Sequence, residues 1–253
     1  MSLDKKFEDL FLNVSIKAAL SSYHFVGKKD KIAADKSAVD AMRNKLNEIE
    51  MRGKVVIGEG ELDEAPMLYI GETLGTMNGP ELDIAVDPLE GTNFAANNQP
   101  GALSVIAVAE KSNLFSAPET YMNKISANVP SEGIIDLDYS VKKNISNLAD
   151  YKNKQPNELS ACILDRPRHK KIIEELRNLK VNLKLISDGD VSGALLVSDK
   201  KYNIDIFMHK RGVPRCHHRE LSFLRPEHQH TPHQARRVGF RPVQNGHVQN
   251  LRR

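Results

Sequence analysis

The 253-residue chain has no run of 18 or more apolar residues, so nothing in it reads as a membrane-spanning helix. Cysteine is scarce. Cys162 and Cys216 are the only two, too few for a disulfide framework. The N-terminal stretch Met1-Ser2-Leu3-Asp4-Lys5-Lys6-Phe7-Glu8 lacks the apolar core of a secretory signal. These absences lead to the expectation of a cytoplasmic protein with no membrane partner. Hydrophobic residues make up 40% and charged residues 27%, which suits a folded chain of one large domain or two smaller ones.

Charge is unevenly spread along the chain. The net charge of +3 averages two unlike pieces. From His209 onward there are nine Arg and one Lys against two Glu, a balance of +8, which leaves −5 on residues 1–208. That tail also holds seven of the nine histidines. No helical or strand period survives in it, so disorder is expected there. Cys216 and the histidines could bind zinc, but they lack the paired spacing of a structural site. Basic charge confined to such a tail supports non-specific nucleic-acid contact at most, and no specific nucleic-acid partner is expected.

The stretch around which the chain is organised is Asp83-Ile84-Ala85-Val86-Asp87-Pro88-Leu89-Glu90-Gly91-Thr92-Asn93. It begins with the alternation of a strand, and Pro88, which cannot donate to a ladder, is expected to stop it. Asp87 is then left at the strand's carboxyl end with Glu90 just beyond. Two carboxylates this close repel unless a cation sits between them, and a hard divalent ion suits oxygen donors. Gly91 and Thr92 follow, where close backbone approach and free N–H groups favour an anion. Asp-Pro and Glu-Gly are also common turn dipeptides, so a turn without chemistry remains the alternative.

Along the rest of the chain, Phe7, Leu10, Phe11, Val14 and Ala18 mark an amphipathic helix over 7–23. Gly27-Lys28-Lys29-Asp30-Lys31 is a basic loop, either solvated or bringing Lys31 to a phosphate. Asp35 precedes a helix predicted at 37–50, where Ser37 and Asp40 resemble a capping box; Asp35 reads as a cap or a metal ligand. The short strand 54–58 runs into Glu59-Gly60-Glu61-Leu62-Asp63-Glu64, four carboxylates that are expensive to hold against a core without a cation. A third strand, 102–109, is nearly all apolar and is expected to be buried on both faces. Tyr121 and Lys124 follow it. Residues 133–138 read as a strand and 140–157 as a helix with a linker.

These features place a domain boundary near 155. The N-terminal metal- and phosphate-binding domain is then 1–155, a second α/β domain starts at 156–208, and the tail is 209–253. In the second domain, strands at 159–164, 181–186 and 202–208 alternate with helices at 169–179 and 191–198, a β-α-β-α-β unit with a parallel sheet. Arg166 and Arg168 flank Pro167 at the end of one strand, and Asp188 and Asp190 flank Gly189 at the end of the next. Arginines suit phosphate through bidentate hydrogen bonds, and aspartates suit sugar hydroxyls. Salt bridges between the two strand ends are the alternative.

Asp87-Pro88-Leu89-Glu90-Gly91-Thr92 resembles the metal-binding signature of the lithium-sensitive, metal-dependent phosphomonoesterases. The longer stretch from Gly58 to Glu72 closely resembles the bacterial class II, GlpX-type fructose-1,6-bisphosphatases, and Asp30-Lys31, Ala34-Asp35, Arg166-Pro167-Arg168 and Asp188-Gly189-Asp190 fit the same family in order and spacing. The likeness covers about residues 1–208. It implies a layered α/β sugar-phosphatase fold of two domains, the second incomplete here. It implies Mn²⁺- or Mg²⁺-dependent removal of the 1-phosphate of fructose 1,6-bisphosphate in gluconeogenesis, with sedoheptulose 1,7-bisphosphate as a second substrate in some members. It also implies roles. Asp35 and Glu59 would hold one metal and Asp87 and Glu90 another. Gly91 and Thr92 would cradle the 1-phosphate beside Glu90. Lys31, Tyr121, Arg166, Pro167, Arg168, Asp188, Gly189 and Asp190 would bind the rest of the substrate. Asp63 or Glu61, with Thr92, would orient the attacking water. Homo-oligomerisation stays open.

After Met208 the likeness stops. Family members continue with Gly-Ile-Gly-Gly-Ala-Pro-Glu-Gly, whose glutamate is a further metal ligand; Arg215 stands at that position here. A frameshift would account for the change in composition. A second domain cut in mid-sheet is expected to leave an unpaired strand edge. With a cation in place of a ligand, weak or no activity is expected of this polypeptide. A catalytically impaired fragment is therefore the rival reading, and another sugar or inositol phosphatase is the rival within the enzyme class.

Overall fold

The computed structural model describes residues 5–58, 68–114, 122–129, 133–211 and 236–242. They form two compact units, dividing at about residue 118, each with its own apolar core. Among the described residues there are two sheets and six α-helices, a mixed α/β architecture.

In the first unit, α1 (Lys5–Tyr23) buries Phe7, Phe11, Val14 and Ala18 of the stripe read from the sequence, while Leu10 of that stripe is exposed. The next helix, α2 (Lys31–Asn47), starts six residues earlier than expected. Asp30 caps it: its carboxylate accepts the Ala33 N–H at 2.9 Å, satisfying a first-turn donor. Asp35 therefore lies inside the helix, not ahead of it. Ser37 and Asp40 form no capping box; Ser37 donates to the Ala34 carbonyl at 2.8 Å and Asp40 pairs with Lys36 at 2.7 Å.

The sheet of this unit contains β1 (Arg52–Ile57), β2 (Thr73–Leu74), β3 (Glu81–Glu90) and β4 (Leu103–Glu110) in the order β2-β1-β3-β4. β1 and β3 are parallel, and β3 and β4 antiparallel. β3 is central and buried from Leu82 to Glu90. β4 is an edge strand and half-exposed from Leu103 to Ala109, which corrects the expectation of burial on both faces: an edge has a neighbour on one side only.

Pro88 does not stop β3. The strand runs through it to Glu90, and the register with β4 shifts between Asp87 and Glu90. Asp87 pairs with Val105 and Glu90 with Leu103, so β3 carries one extra residue there, a bulge. A bulge omits a ladder hydrogen bond, and a residue without an N–H loses nothing in it.

The second unit comprises β5 (Met122–Asn128), α4 (Val141–Lys152), β6 (Ser160–Leu164), α5 (Lys170–Asn178), β7 (Asn182–Ile186), α6 (Asp190–Leu196), β8 (Ile206–Arg211) and β9 (Arg236–Pro242). The sheet order is β7-β6-β8-β5-β9. β6 is parallel to β7 and β8, as the β-α-β-α-β reading requires. β5 is antiparallel to β8 and β9. Because β5 joins this sheet, the units divide ahead of the boundary expected near 155.

Four other expectations are corrected here. Residues 133–139 form turns, not a strand. The Asn144 side chain accepts the Asp136 N–H at 2.8 Å and donates to its carbonyl at 2.9 Å, so this backbone needs no ladder. The last parallel strand begins at Ile206, after a 3₁₀ turn at Lys200–Tyr202, and continues past Met208 through His209 to Arg211. β8 is not an exposed edge, since β6 and β5 flank it, and 236–242 in the basic tail forms a strand. Val238 and Phe240 alternate with Arg237 and Arg241 in that strand, a short period of two hidden by the surrounding basic composition.

Candidate active site

In the first unit the bulge in β3 sits between two nearly buried carboxylates, Asp87 at 4% exposure and Glu90 at 3%. The chain then turns through Gly91 into the short helix α3 (Thr92–Ala96). Gly91 has φ +76°, which an L side chain adopts with strain, and a Cβ there would lie 2.8 Å from Phe94 Cδ2. Thr92 opens α3 and is half-buried.

The basic loop is not free in solvent. Gly27 N–H donates to the Ala95 carbonyl at 2.9 Å and Lys29 N–H to the Ala96 carbonyl at 3.0 Å, while Lys29 Nζ bonds Asn97 Oδ1 at 2.8 Å. The loop is thus tied to the end of α3, and Lys31, exposed at the start of α2, emerges from it. α2 packs against both β3 and α3, so Asp35, half-buried, belongs to a helix that lies on the elements carrying Asp87, Glu90 and Thr92.

Further along α2, Arg43 forks onto Glu72 with Nε–Oε1 2.7 Å and Nη2–Oε2 3.2 Å. The hydrogen bond to Glu72 holds the Arg43 guanidinium above its ordinary value. Glu59, Glu61, Asp63 and Tyr121 lie outside the described residues.

Two buried carboxylates supply hard oxygen donors, and buried carboxylates are retained only with cations or strong hydrogen bonds. That donor set fits Mn²⁺ or Mg²⁺ better than a softer ion. Among the described residues no three His, Cys, Asp or Glu side chains converge into a complete cage.

In the second unit, the ends of β6 and β7 lie side by side, Leu164 opposite Ile186, and Asp165 N–H donates to the Ile186 carbonyl at 2.8 Å. This brings the Arg166-Pro167-Arg168 turn and Asp188-Gly189-Asp190 to one end of the parallel sheet, where ligands of such sheets bind. Arg168 is exposed, and Arg166 and Asp188 are half-buried. Asp190 differs from them. It is 5% exposed, and its Oδ2 lies 3.0 Å from His209 Nε2 in β8. The distance is that of an ion pair, but the imidazole nitrogens are not aligned for a hydrogen bond.

The helix that begins at Asp190 approaches β8 closely because of Gly193: a Cβ there would lie 2.5 Å from Phe207 Cε2. His209 stacks on Phe207 with ring centroids 5.9 Å apart and meets His169 edge-on at 5.0 Å. His169 Nδ1 lies 2.7 Å from the Leu164 carbonyl oxygen. Burial lowers the His209 pKa to about 4, and the pull of Asp190 does not overcome it. His169 and His209 were missed as site neighbours. The sequence places His169 at a turn and helix start and His209 among the tail histidines weighed as zinc ligands; the pairing of β8 with β5 and β6 carries His209 into the sheet of the second unit instead. Cys162 is a free, buried thiol pushed up to about 12 by burial, which leaves it no role as a nucleophile.

A sequence model described as bacterial fructose-1,6-bisphosphatase, glpX-encoded, matches residues 6–215. The chain is 44% identical over 209 residues to the D-fructose 1,6-bisphosphatase class 2/sedoheptulose 1,7-bisphosphatase of Synechocystis sp., covering 78% of this chain and 61% of that protein. It is 47% identical over 184 residues to the protein of the same description from Prochlorococcus marinus, covering 73% and 55%. The chain thus spans about three-fifths of the length of the curated relatives it matches. Among solved structures, an inositol monophosphatase–fructose 1,6-bisphosphatase is similar at 14% identity and a TM-score of 0.39, over 74% of this chain and 68% of that one.

Proposed function

The chain belongs to the family of bacterial, glpX-encoded fructose-1,6-bisphosphatases, and from that membership we propose that it serves the metal-dependent hydrolysis of the 1-phosphate of fructose 1,6-bisphosphate. Sedoheptulose 1,7-bisphosphate is the proposed second substrate, since the relatives' names carry both activities. The observation that carries the reading is the buried pair Asp87 and Glu90 set around a bulge and followed at once by the left-handed Gly91. A cytoplasmic location is part of the proposal; among the described residues no helix is long and apolar enough to cross a membrane.

Asp35, Asp87 and Glu90, with Glu59, would hold Mn²⁺ or Mg²⁺. The ion, when bound, acidifies water and neutralises charge on the phosphoryl oxygens. The rest falls to the chain. Gly91 lets the chain turn at φ +76° into α3, and N–H groups of the first turn of a helix lack intrahelical partners and favour anions. The Thr92 hydroxyl, with Asp63 or Glu61, orients the attacking oxygen. Arg166 and Arg168 bind the second phosphate and Asp188 accepts hydrogen bonds from sugar hydroxyls, with Lys31 and Tyr121 completing the contacts. Two separate anion sites suit a bisphosphate rather than an inositol monophosphate.

The test is phosphate release from fructose 1,6-bisphosphate by the purified chain with Mn²⁺ or Mg²⁺, beside Asp87→Asn. Release that requires metal and disappears in the variant supports the reading; metal-independent release, or release that survives in Asp87→Asn, overturns it. Asp63→Ala should lower turnover far more than it raises KM. A second reading, a chain that binds substrate but turns it over weakly, is favoured by Arg215 at the position of a family metal ligand. Substrate binding by calorimetry without product formation would select it.

A further inference from the structure

Lys124 is a buried lysine that the proposed reaction leaves without a task. It lies in β5 at 6% exposure, and among the described residues its ammonium makes no hydrogen bond or ion pair. A lysine is seldom so buried without a counter-charge. The carboxylate of its cluster, Asp190, faces His209 at 3.0 Å. Lys124 and His209 are direct cross-strand partners, so their side chains share one face of the sheet. His209 in turn meets His169, whose Nδ1 sits 2.7 Å from the carbonyl of Leu164, the last residue of β6. The cluster therefore lies at the end of β6 from which Arg166 and Arg168 depart.

Lys124 is the cross-strand partner of His209 in β8, and His209 in turn faces Asp190 of α6 and meets His169 of the turn after β6. Burial and the Lys124 charge both disfavour the protonated imidazole of His209, so that ring contributes no positive charge.

We propose that Lys124 is a third cation of the anion-binding end of the second unit, donating to an oxygen of the phosphate monoester farthest from the scissile one. The proposal rests on the reading that Arg166 and Arg168 bind the second phosphate, and adds a residue to which neither motif nor spacing assigned a role. A compact ammonium held in low dielectric supplies a point charge to that phosphate, while the arginines supply planar forks. It also gives the site discrimination: a sugar lacking the distal phosphate would forgo the charged hydrogen bond to the ammonium.

The experiment is calorimetric titration of the full chain with fructose 6-phosphate, and with fructose as the unphosphorylated control. Wild type binds fructose 6-phosphate and not fructose. Lys124→Met binds it about 10- to 100-fold more weakly, the loss expected for one charged hydrogen bond. Lys124→Arg keeps part of the affinity. Undiminished affinity in Lys124→Met overturns the proposal, as does a wild-type chain with no preference for the phosphorylated sugar. Should Lys124→Met fold poorly, the unmutated chain decides: the ¹³Cε resonance of Lys124, assigned by its loss in Lys124→Arg, moves on adding fructose 6-phosphate, and a stationary resonance overturns the proposal. Asp87→Asn separates the two readings. It removes turnover if the proposed reaction is right, whereas the weakening of fructose 6-phosphate binding in Lys124→Met, read against wild type without metal, reports on Lys124 whether or not that reaction is right.

Discussion

Acid should loosen the second unit through His209, and a single substitution should remove the effect. The imidazole takes up its proton at about 4 in the folded chain, against an ordinary value of 6.5, because burial penalises the charged ring more than Asp190 favours it. Between those two pH values the unfolded chain holds more protons than the folded one. Stability is therefore whole above pH 6.5 and is lost as pH falls toward 4. The gap corresponds to about 3 kcal/mol, a large share of the stability of an ordinary domain. The assay is urea unfolding followed by circular dichroism at a series of pH values between 7 and 4, for wild type and His209→Gln. The glutamine keeps polarity and bulk but does not titrate. Carboxylates elsewhere give both proteins a common slope, and wild type should lose about 3 kcal/mol beyond it. Parallel curves over that window would show that His209 is not held neutral by burial, and the reasoning would fail.

Further perturbations follow from other contacts. Gly91→Ala should destabilise the chain by about 1–3 kcal/mol, because a side chain at φ +76° is strained and would press on Phe94; thermal melts that match wild type would refute this. Asp205 binds Lys152 Nζ at 2.6 Å and accepts the Ser160 N–H at 2.9 Å. Asp205→Ala should cost about 2 kcal/mol, moderated because Lys152 stays partly in water, with the urea midpoint as readout. Arg43→Lys should cost about 1 kcal/mol despite keeping the charge, since a lysine cannot reproduce the two-point grip on Glu72. An unchanged melting temperature would mean the fork adds nothing to a single contact.

Much of the second unit could be read from the sequence because each element there carries its own period: Ile173 and Leu176 are the buried stripe of α5, and Ala161 to Leu164 form a buried apolar strand. The strand at 83–87 was legible for a different reason: its apolar alternation marks extended chain, and it lies in the buried strand β3. What failed depended on contacts distant in sequence. The start of α2 was obscured because Asp30 sits in a loop that looks merely basic, and only its bond to Ala33 shows it to be a cap. The turn at 133–139 imitates a strand in composition, while Asn144, eight residues from Asp136, supplies the bonds a strand would need. Lys124 and His209 lie 85 positions apart in sequence and become neighbours only through the β5–β8 ladder.

The bulge at Pro88 has a consequence of parity. Side chains of a regular strand alternate between faces, so residues 87 and 90, an odd number of steps apart, would point to opposite sides. Their partners Val105 and Leu103 are an even number of steps apart and share a side of β4. The extra residue therefore rotates Glu90 onto the side that Asp87 already occupies. Two acids become a pair by counting, not by attraction. Removing Leu89 would delete no charged group, yet it would turn one carboxylate away from the other, whereas many replacements of Leu89 would leave both in place.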